Sequence, residues 1–357
     1  MGDMHNYKCR ACGAPLAFDE ESQKLRCDFC GSMYDLSEFE SVTETGDPGS
    51  QDQQCQWGQE GMKYYSCPSC GAELMCDQTT AATQCPYCGN NAVMPGQFSA
   101  GQQPEFVIPF KISKKKAVEA LKNHYKGKIL LPNAFKNENH IKEIQGVYVP
   151  FWLFDKDAQG EMSFDGANSS SYREGDYIVT NTMHYRIRRA GDIQFQKVPV
   201  DASSKMPDDY MDSIEPFDYQ ELKPFSTVYM PGFLADKYDV EQSDAEPRAR
   251  QRCENSMETA LRHTVTGYEM IAQTGKDVRL QDRDCHYALL PVWTLATKWR
   301  NQTYLFAING QTGKLVGNLP VDQGKFQRIF WGITVGLGAV LSLCFSGMLG
   351  TWFANLF

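Results

Sequence analysis

The alternation of hydrophobic and polar residues predicts strands in the region 106–324, which we expect to form the main body of the protein. In "DYIVTNTMHYRIRR", the apolar side chains from Tyr177 to Ile187 fall on one face and the polar ones from Thr180 to Arg188 on the other. A period of two is typical of a half-buried strand. This segment therefore predicts a strand with one face towards the core.

Longer periods predict two helices in the same region. Ser113 can cap a helix that runs to about Lys126, with Val118, Leu121 and Tyr125 on one face. The segment "EPRARQRCENSMETALRHTV" predicts a second helix further along the chain. Both helices are long enough to cover part of a sheet.

The order of elements in the body is repeated. A helix, a strand that carries Pro-x-Trp ("GVYVPFWLFD" and "HYALLPVWTL") and a hairpin occur twice, at Pro150/Trp152 and at Pro291/Trp293. The second hairpin is "TYLFAINGQTGKLVGNLP", two strands across a glycine-rich turn. We expect an internal duplication and an α+β body, with antiparallel sheets that carry helices on one side.

The C-terminal 29 residues carry no ionisable side chain except Cys344. This length exceeds the roughly 20 residues that a helix needs to cross a bilayer, so residues 329–353 are predicted to form one transmembrane helix. Lys325 and Arg328 precede it and no Lys or Arg follows, which predicts a single-pass, tail-anchored protein with residues 1–328 in the cytoplasm. The alternative is a buried core helix.

Small residues recur along the predicted span. They can support helix–helix association, although glycine is also simply common in membrane helices. The residues at this spacing are Gly338, Ser342, Ser346 and Gly350.

Thirteen cysteines stand in a chain whose first ten residues hold no apolar run that could act as a secretory signal. These features predict a reducing compartment, where paired cysteines bind metal more often than they form disulfides. The pattern Cys-x-x-Cys-Gly occurs four times, and each cysteine of the first pair of knuckles has a counterpart 58 residues later. Two such knuckles complete a tetrahedral four-sulfur site, with zinc as the default metal and iron as the alternative.

The sequence thus predicts two duplicated zinc-ribbon β domains, each with one structural Zn²⁺. The predicted ligands are Cys9, Cys12, Cys27, Cys30, Cys67, Cys70, Cys85 and Cys88. The predicted domains and linkers are ribbon 1 (1–35), an acidic flexible linker (36–62), ribbon 2 (63–95), a short linker (96–105), the body (106–324) and the membrane helix (329–353).

Charge argues against a nucleic-acid-binding function for the ribbons. Residues 1–100 hold five Lys or Arg against fourteen Asp or Glu, a balance equal to the net charge of −9 of the whole chain. Binding to phosphates needs a basic surface, so protein-binding ribbons are favoured and nucleic acid is the alternative. The lysines between 111 and 128 could meet anionic lipid, but a solvated helix face is favoured.

No pattern typical of a catalytic site is present, so the chain is predicted not to be an enzyme. "GQTGKL" (310–315) lacks the full phosphate-loop pattern, because Ala307 and Leu315 occupy positions that need Gly and Ser or Thr. Zinc-protease, hydrolase and kinase signatures are also missing.

The paired knuckles, "IPFKISKKKAVEAL", "VYVPFWLFD" and the C-terminal apolar segment together resemble a family of bacterial TFIIB-type zinc-ribbon membrane proteins. Some of these are labelled PriA-like replication-restart helicases, but this chain has no helicase motifs. Related proteins are linked to envelope-stress systems with SPFH (flotillin-like) and PspA-like partners. The resemblance implies a cytoplasm-facing, tail-anchored adaptor that docks protein partners at the membrane.

Overall fold

The computed structural model describes residues 7–40, 62–66, 73–77, 80–84, 91–93, 103–136, 141 and 143–354. Most of the predicted acidic linker lies outside these residues, as do the four knuckle cysteines of ribbon 2. The described part of the chain is dominated by antiparallel strands.

The first cysteine-rich unit is a small three-stranded sheet followed by one helical turn. Its strands pair in the order β1-β2-β3, with antiparallel registers throughout. Its elements are β1 (Leu16–Asp19), β2 (Lys24–Cys27), β3 (Met33–Tyr34) and α1 (Ser37–Glu40).

The second cysteine-rich unit repeats part of this backbone. Its strands are β4 (Met62–Ser66), β5 (Glu73–Asp77), β6 (Thr80–Gln84) and β7 (Asn91–Val93). Arg26 pairs with Met33 in ribbon 1, and Gln84 pairs with Asn91 at the same 58-residue offset. The repeat therefore includes the strand register as well as the cysteine spacing. The two units differ in their sheets, because β4 and β5 form a separate pair whereas β6 and β7 belong to the large sheet.

The body is built on a ten-stranded sheet that includes β6 and β7. The path runs β11-β8-β13-β9-β12-β6-β7, with β10 beside β9, β14 beside β13 and β15 beside β14. Its other strands are β8 (Phe106–Val107), β9 (Gln145–Glu174), β10 (Tyr177–Asp201), β11 (Lys223–Pro224), β12 (Leu234–Asp236), β13 (Met270–Trp299), β14 (Gln302–Asn309) and β15 (Leu315–Gly317).

Three of these strands are far longer than usual. β9 and β13 each have 30 residues and β10 has 25, whereas strands of about five or six residues are typical. At about 3.3 Å per residue, β9 is roughly 100 Å long. The three strands lie side by side in the order β10-β9-β13.

Four longer helices accompany the sheet. They are α2 (Lys114–Tyr125), α3 (Asp208–Ser213), α4 (Gln242–His263) and α5 (Gln323–Ala354). The prediction for α2 is confirmed, with Leu121 and Tyr125 buried, although Ser113 makes no side-chain capping bond. α4 lies along the long strands, where Met257 and Leu261 pack in one apolar cluster with Ile187.

The predicted fold class is wrong. The described residues form a mostly antiparallel β structure rather than an α+β body with helices on one side. α2 and the start of α4 pack with Trp152 on one face of β9, whereas α3 packs with Phe151 on the opposite face. The sequence indicated strands of about ten residues, but β9, β10 and β13 continue for 25 to 30 residues.

The predicted membrane helix at 329–353 is also wrong. In the part of the chain that the structure describes, no helix combines the length and the apolar character needed to cross a membrane. The first turn of α5 is polar and bound to the body, because Lys325 Nζ donates to Leu131 O at 2.6 Å and to Asn133 Oδ1 at 2.8 Å. The predicted tail-anchored, single-pass topology and its cytoplasmic orientation depended on this helix, so these predictions are also wrong.

The predicted small-residue motif lies in the same helix. Gly338 is exposed. The side chains of Ser342 and Ser346, together with Gly350, lie outside the positions whose burial is described. The association through these residues stays a prediction.

The two halves of the body repeat one arrangement. β12 pairs in parallel with β9 at Val147 and Tyr148, and β8 pairs in parallel with β13 at Ala288 and Leu289. The short strand β12 comes directly before α4, and the short strand β8 comes directly before α2 in the same way. Each half therefore contributes a short strand that pairs in parallel with the long strand of the other half, in an approximately two-fold arrangement.

The two Pro-x-Trp motifs occupy matching positions in this exchange. Trp152 Nε1 donates to Val240 O at 2.9 Å, and Trp293 Nε1 donates to Ile112 O at 2.7 Å. Each carbonyl lies two residues before a helix of the other half, α4 or α2. This reciprocal bonding favours a duplicated origin for the two halves.

Candidate metal centre

Two tight turns in ribbon 1 present the cysteines. The Gly13 N–H donates to Cys9 O at 2.8 Å and the Gly31 N–H donates to Cys27 O at 2.9 Å. Both glycines have positive φ, 73° and 75°, a conformation that residues with a Cβ adopt at a cost. Glycine after the second cysteine therefore allows each turn to point both of its sulfurs inwards.

The turns bring four sulfurs together. Cys9 Sγ lies 3.5 Å from Cys30 Sγ, and Cys12 Sγ lies 3.5 Å from Cys27 Sγ. All four sulfurs lie within 4.8 Å of one another. A tetrahedral ion with bonds of about 2.3 Å would hold sulfurs about 3.8 Å apart. The cluster can therefore bind a metal ion, as the spacing of these four cysteines predicted.

Two hydroxyl groups favour thiolates in this cluster. Tyr34 Oη lies 3.2 Å from Cys9 Sγ, and this hydrogen bond is the main reason that the pKa of Cys9 is lowered to about 6. Ser32 Oγ lies 3.1 Å from Cys30 Sγ and likewise lowers the pKa of Cys30. Metal ligands must be deprotonated, so both hydroxyls prepare the site. The cysteine spacing gave no signal for either residue.

Cys12 behaves differently. The Ala14 backbone N–H favours its thiolate, but hydrogen bonding with the Cys27 sulfur and burial oppose it and raise the pKa of Cys12 to about 12. Four sulfurs this close cannot all be charged without a cation between them. A bound metal would remove this conflict, which is the expected chemistry of a closed site of four thiolates.

Ribbon 1 is fixed to the body by buried contacts. Tyr7 Oη and Thr227 Oγ1 are hydrogen-bonded at 2.7 Å, and the Phe18 N–H donates to Pro231 O at 2.9 Å. The Phe18 ring packs edge-on against Tyr229, with ring centres 5.6 Å apart. The metal cluster therefore sits on a unit whose core is continuous with that of the body.

Comparison with known proteins identifies a relative over nearly the whole chain. The chain is 36% identical to the uncharacterized protein YdjG of Bacillus subtilis over 338 residues, which are 95% of this chain and 96% of YdjG. This chain belongs to the YdjG family. No family model matches it, and no solved structure does. A match of this extent covers most of both the cysteine-rich part and the β body of this chain.

The knuckle of this YdjG-family protein exposes an apolar surface. Phe29, between Cys27 and Cys30, is 78% exposed, and Met33 nearby is half-exposed. Contiguous exposed apolar surface can mark a protein-interaction site. Sequence reasoning did not single out Phe29, because the cysteine spacing ignores the residues between the ligands.

Three of the four basic side chains of this ribbon are paired with carboxylates. Arg10 contacts Glu38 at 2.9 Å, and Lys24 contacts Asp35 at 2.8 Å. Arg26 lies 3.7 Å from Asp19. Exposed pairs of this kind add little stability, but they cancel the positive charge that phosphate binding would need.

A hollow of about 750 Å³ lies where ribbon 1 meets the body. Its lining includes Phe18, Glu20 and Asp28 from the ribbon, and Phe233 and Trp293 from the body. Burial raises the pKa of Glu20 above its ordinary value. Four acidic residues and the two basic residues Arg26 and Lys114 line the hollow, so its charge is acidic on balance. This balance suits a partner's side chains better than phosphate.

The ligands predicted for ribbon 2 cannot be compared with those of ribbon 1. Cys67, Cys70, Cys85 and Cys88 lie outside the described residues. The described strands β5, β6 and β7 flank them at the positions that β1, β2 and β3 hold around the first cluster. A second site with the same ligand set stays a prediction.

Proposed function

We propose that this protein is a non-catalytic zinc-ribbon adaptor that docks protein partners. The observation that carries the proposal is the closed cluster of four cysteines beneath an exposed aromatic knuckle, on a unit fixed to a long β scaffold. Four thiolates in tetrahedral geometry favour zinc over harder cations and leave no open position for catalysis. Ribbon 2 would hold a second zinc through its own four cysteines.

The knuckle is the proposed contact with the partner. Zinc would hold Phe29 in one orientation, which lowers the entropy lost when the side chain is buried in an interface. Exposed aromatic anchors of this type carry much of the binding energy in protein complexes. By the resemblance to TFIIB-type zinc-ribbon proteins, SPFH- or PspA-like proteins of an envelope-stress assembly are the partners to test first.

Protein is favoured over nucleic acid as the partner. The three paired basic residues of ribbon 1 and its adjoining acidic hollow leave no basic stripe on the described part of this ribbon. A nucleic-acid-binding ribbon would need such a stripe to neutralise phosphates. The proposal therefore commits to protein docking.

Affinity capture with the full-length chain tests the docking role. Phe29→Ser should lose the partner that the unchanged chain captures, with the captured proteins identified by mass spectrometry. Ile129→Ser is the matched control, since Ile129 is similarly exposed, at 65%, but lies in the body. Equal capture by both variants would contradict docking through the knuckle.

Metal analysis of the purified chain tests the zinc assignment. We expect about two zinc per chain, and about one after Cys9→Ser, because a site that has lost one of its four ligands binds weakly. Cys253→Ser is the control, since Cys253 is buried in the body away from the cluster. Iron in place of zinc, or an unchanged zinc content in Cys9→Ser, would overturn the assignment.

A further inference from the structure

One edge of β10, the edge that does not face β9, has no strand beside it in the described part of the chain. β10 pairs with β9 from Tyr177 to Asp201, and no other described strand pairs with it. Open edges expose unpaired backbone N–H and C=O groups that can pair with a strand of another chain. Most of the length of β10 is available for such pairing.

The turn between β9 and β10 determines which residues face outwards. Gly175 and Asp176 form a two-residue turn, with Gly175 at φ 63°. In such hairpins the flanking residues, here Glu174 and Tyr177, bond each other. Bonding then alternates as far as Phe195, after which the register with β9 shifts. In this part of β10, odd-numbered residues bond to β9 and even-numbered residues direct their N–H and C=O groups outwards.

Two side-chain contacts agree with this alternation. The hydroxyls of Ser169 and Thr182 lie 2.9 Å apart, as do those of Ser171 and Thr180. Directly opposite side chains approach most closely in pairs that do not exchange backbone hydrogen bonds. Even-numbered residues of β10 therefore belong to such pairs with β9.

An apolar cluster reaches this edge. Ile187 is buried beneath α4, and Tyr185, Ile193 and Phe195 are only partly buried against the same cluster. All four are odd-numbered and share one face of β10. A further strand beside β10 would complete the burial of the last three.

We propose that β10 pairs with β10 of a second copy of this chain, antiparallel and with a two-fold axis at Ala190. Ile187 then faces Ile193 of the second copy, and Tyr185 faces Phe195. On the other face Arg188 lies opposite Asp192, twice by symmetry. Pairs of this kind stabilise an antiparallel sheet, and a two-fold interface must be self-complementary in this way.

Charge favours this register over the alternative registers in which the two-fold axis lies at a neighbouring residue. An axis at Arg188, Arg189 or Asp192 would place that residue opposite itself, with like charges in contact. An axis at Ile187 would place Arg186 opposite Arg188. An axis at residue 191 would place the Arg189 side chain against Ile193 and would leave Asp192 opposite an alanine. The axis at residue 190 avoids like-charge contacts and matches apolar with apolar.

The sheet surface beside the axis is acidic. A hollow of about 440 Å³ is lined by Glu161, Asp192 and Asp277, against the single basic residue Arg279. Arg188 of the same chain already contacts Glu161. In the paired arrangement Arg188 of the second copy reaches this hollow next to Asp192, and an arginine has enough donors to bind both its own Glu161 and that carboxylate.

Sedimentation of the full-length chain with matched charge reversals tests the pairing. We expect a dimer for the unchanged chain, and at least a tenfold weaker dimer for Asp192→Arg, which places two arginines opposite each other. Asp176→Arg makes the same charge change in the turn, outside the paired segment, and should leave the dimer intact. A monomer for the unchanged chain, or equal dimerisation of both variants, overturns the proposal.

Disulfide trapping tests the register. In Ala190→Cys the two cysteines would lie about 5.5 Å apart at Cα, within the range of a disulfide, so mild oxidation should produce a covalent dimer above the level of the unchanged chain. Thr182→Cys, which also faces outwards but lies away from the axis, should not. Equal crosslinking of both variants, or none in Ala190→Cys, overturns the register.

Discussion

Asp201 is the residue where burial and charge conflict most clearly. It is buried, and neither of its carboxylate oxygens has a well-formed hydrogen bond from a described residue. Burial is the main reason that its pKa is raised to about 8, with Asp208 adding to the rise and Arg248 opposing it. Asn309 holds the matching position in the other half, since the following residues, Ala202 and Gly310, both bond to the proline carbonyl of a Pro-x-Trp motif.

Asp201→Asn should stabilise the protein at alkaline pH. The raised pKa means that the folded state retains a proton that the unfolded chain releases near pH 4. Stability is therefore lost as the pH rises from about 4 to about 8. Asparagine carries no such proton, so the variant should melt several degrees higher at pH 8 and little differently at pH 4.

Thermal unfolding at both pH values measures this effect. Asp176→Asn, in the exposed turn between β9 and β10, removes a carboxylate that is not buried and should show no such difference. The interpretation of Asp201 would fail if the asparagine variant melted lower than the unchanged chain at pH 8.

At the scale of elements, the sequence predicted the alternation of β10 but not its environment. Ile187 is buried as expected, whereas Tyr177 and Met183, predicted on the same face, are exposed. The reason is the position of α4, which packs on the strands around Gly160 and Gly191 and whose apolar cluster does not include the residues near the turn. Periodicity identifies a face, but only the tertiary structure shows how far a neighbouring element covers it.

The two tryptophans of the Pro-x-Trp motifs should contribute equally to stability. Phenylalanine at either position keeps most of the apolar contact but leaves the carbonyl of Val240 or Ile112 without its donor. An unpaired buried polar group costs about 1–3 kcal/mol. Chemical denaturation of Trp152→Phe and Trp293→Phe should therefore give similar losses of this size.

Trp299→Phe is the matched control for this pair. Trp299 is partly exposed and its described ring contacts are with Tyr304 and Arg300, so its replacement should cost less than about 1 kcal/mol. Strongly unequal losses at Trp152 and Trp293 would contradict the equivalence of the two halves.

At the scale of the whole molecule, the spacing of chemically specific residues was more informative than composition. Cys9, Cys12, Cys27 and Cys30 could be predicted to meet because their spacing fixes a local turn geometry. The α+β class and the membrane helix could not be judged from local pattern, because strand length and the surroundings of α5 depend on distant contacts. The contact between Tyr7 and Thr227, 220 residues apart, shows the same limit.

That contact links the metal centre to the body. Leu16, Phe18 and Leu25 of ribbon 1 share one apolar cluster with Phe233 and Trp293 of the body. A structural zinc contributes folding energy to its unit, and a shared core transmits the loss of that energy. If ribbon 1 binds the proposed zinc, removing the zinc should therefore destabilise the body as well as the ribbon.

Chelation of the full-length chain, followed by hydrogen exchange, measures this coupling. We expect a chelator to lower the melting temperature of the whole protein and to raise exchange in ribbon 1 and in the body segment from Thr227 to Phe233 against which it packs. Cys9→Ser should show both changes without a chelator and respond less to it. If the ribbon instead melted in a separate transition while that segment kept its protection, the shared core would not couple them, and the zinc would serve only to hold the knuckle that carries Phe29.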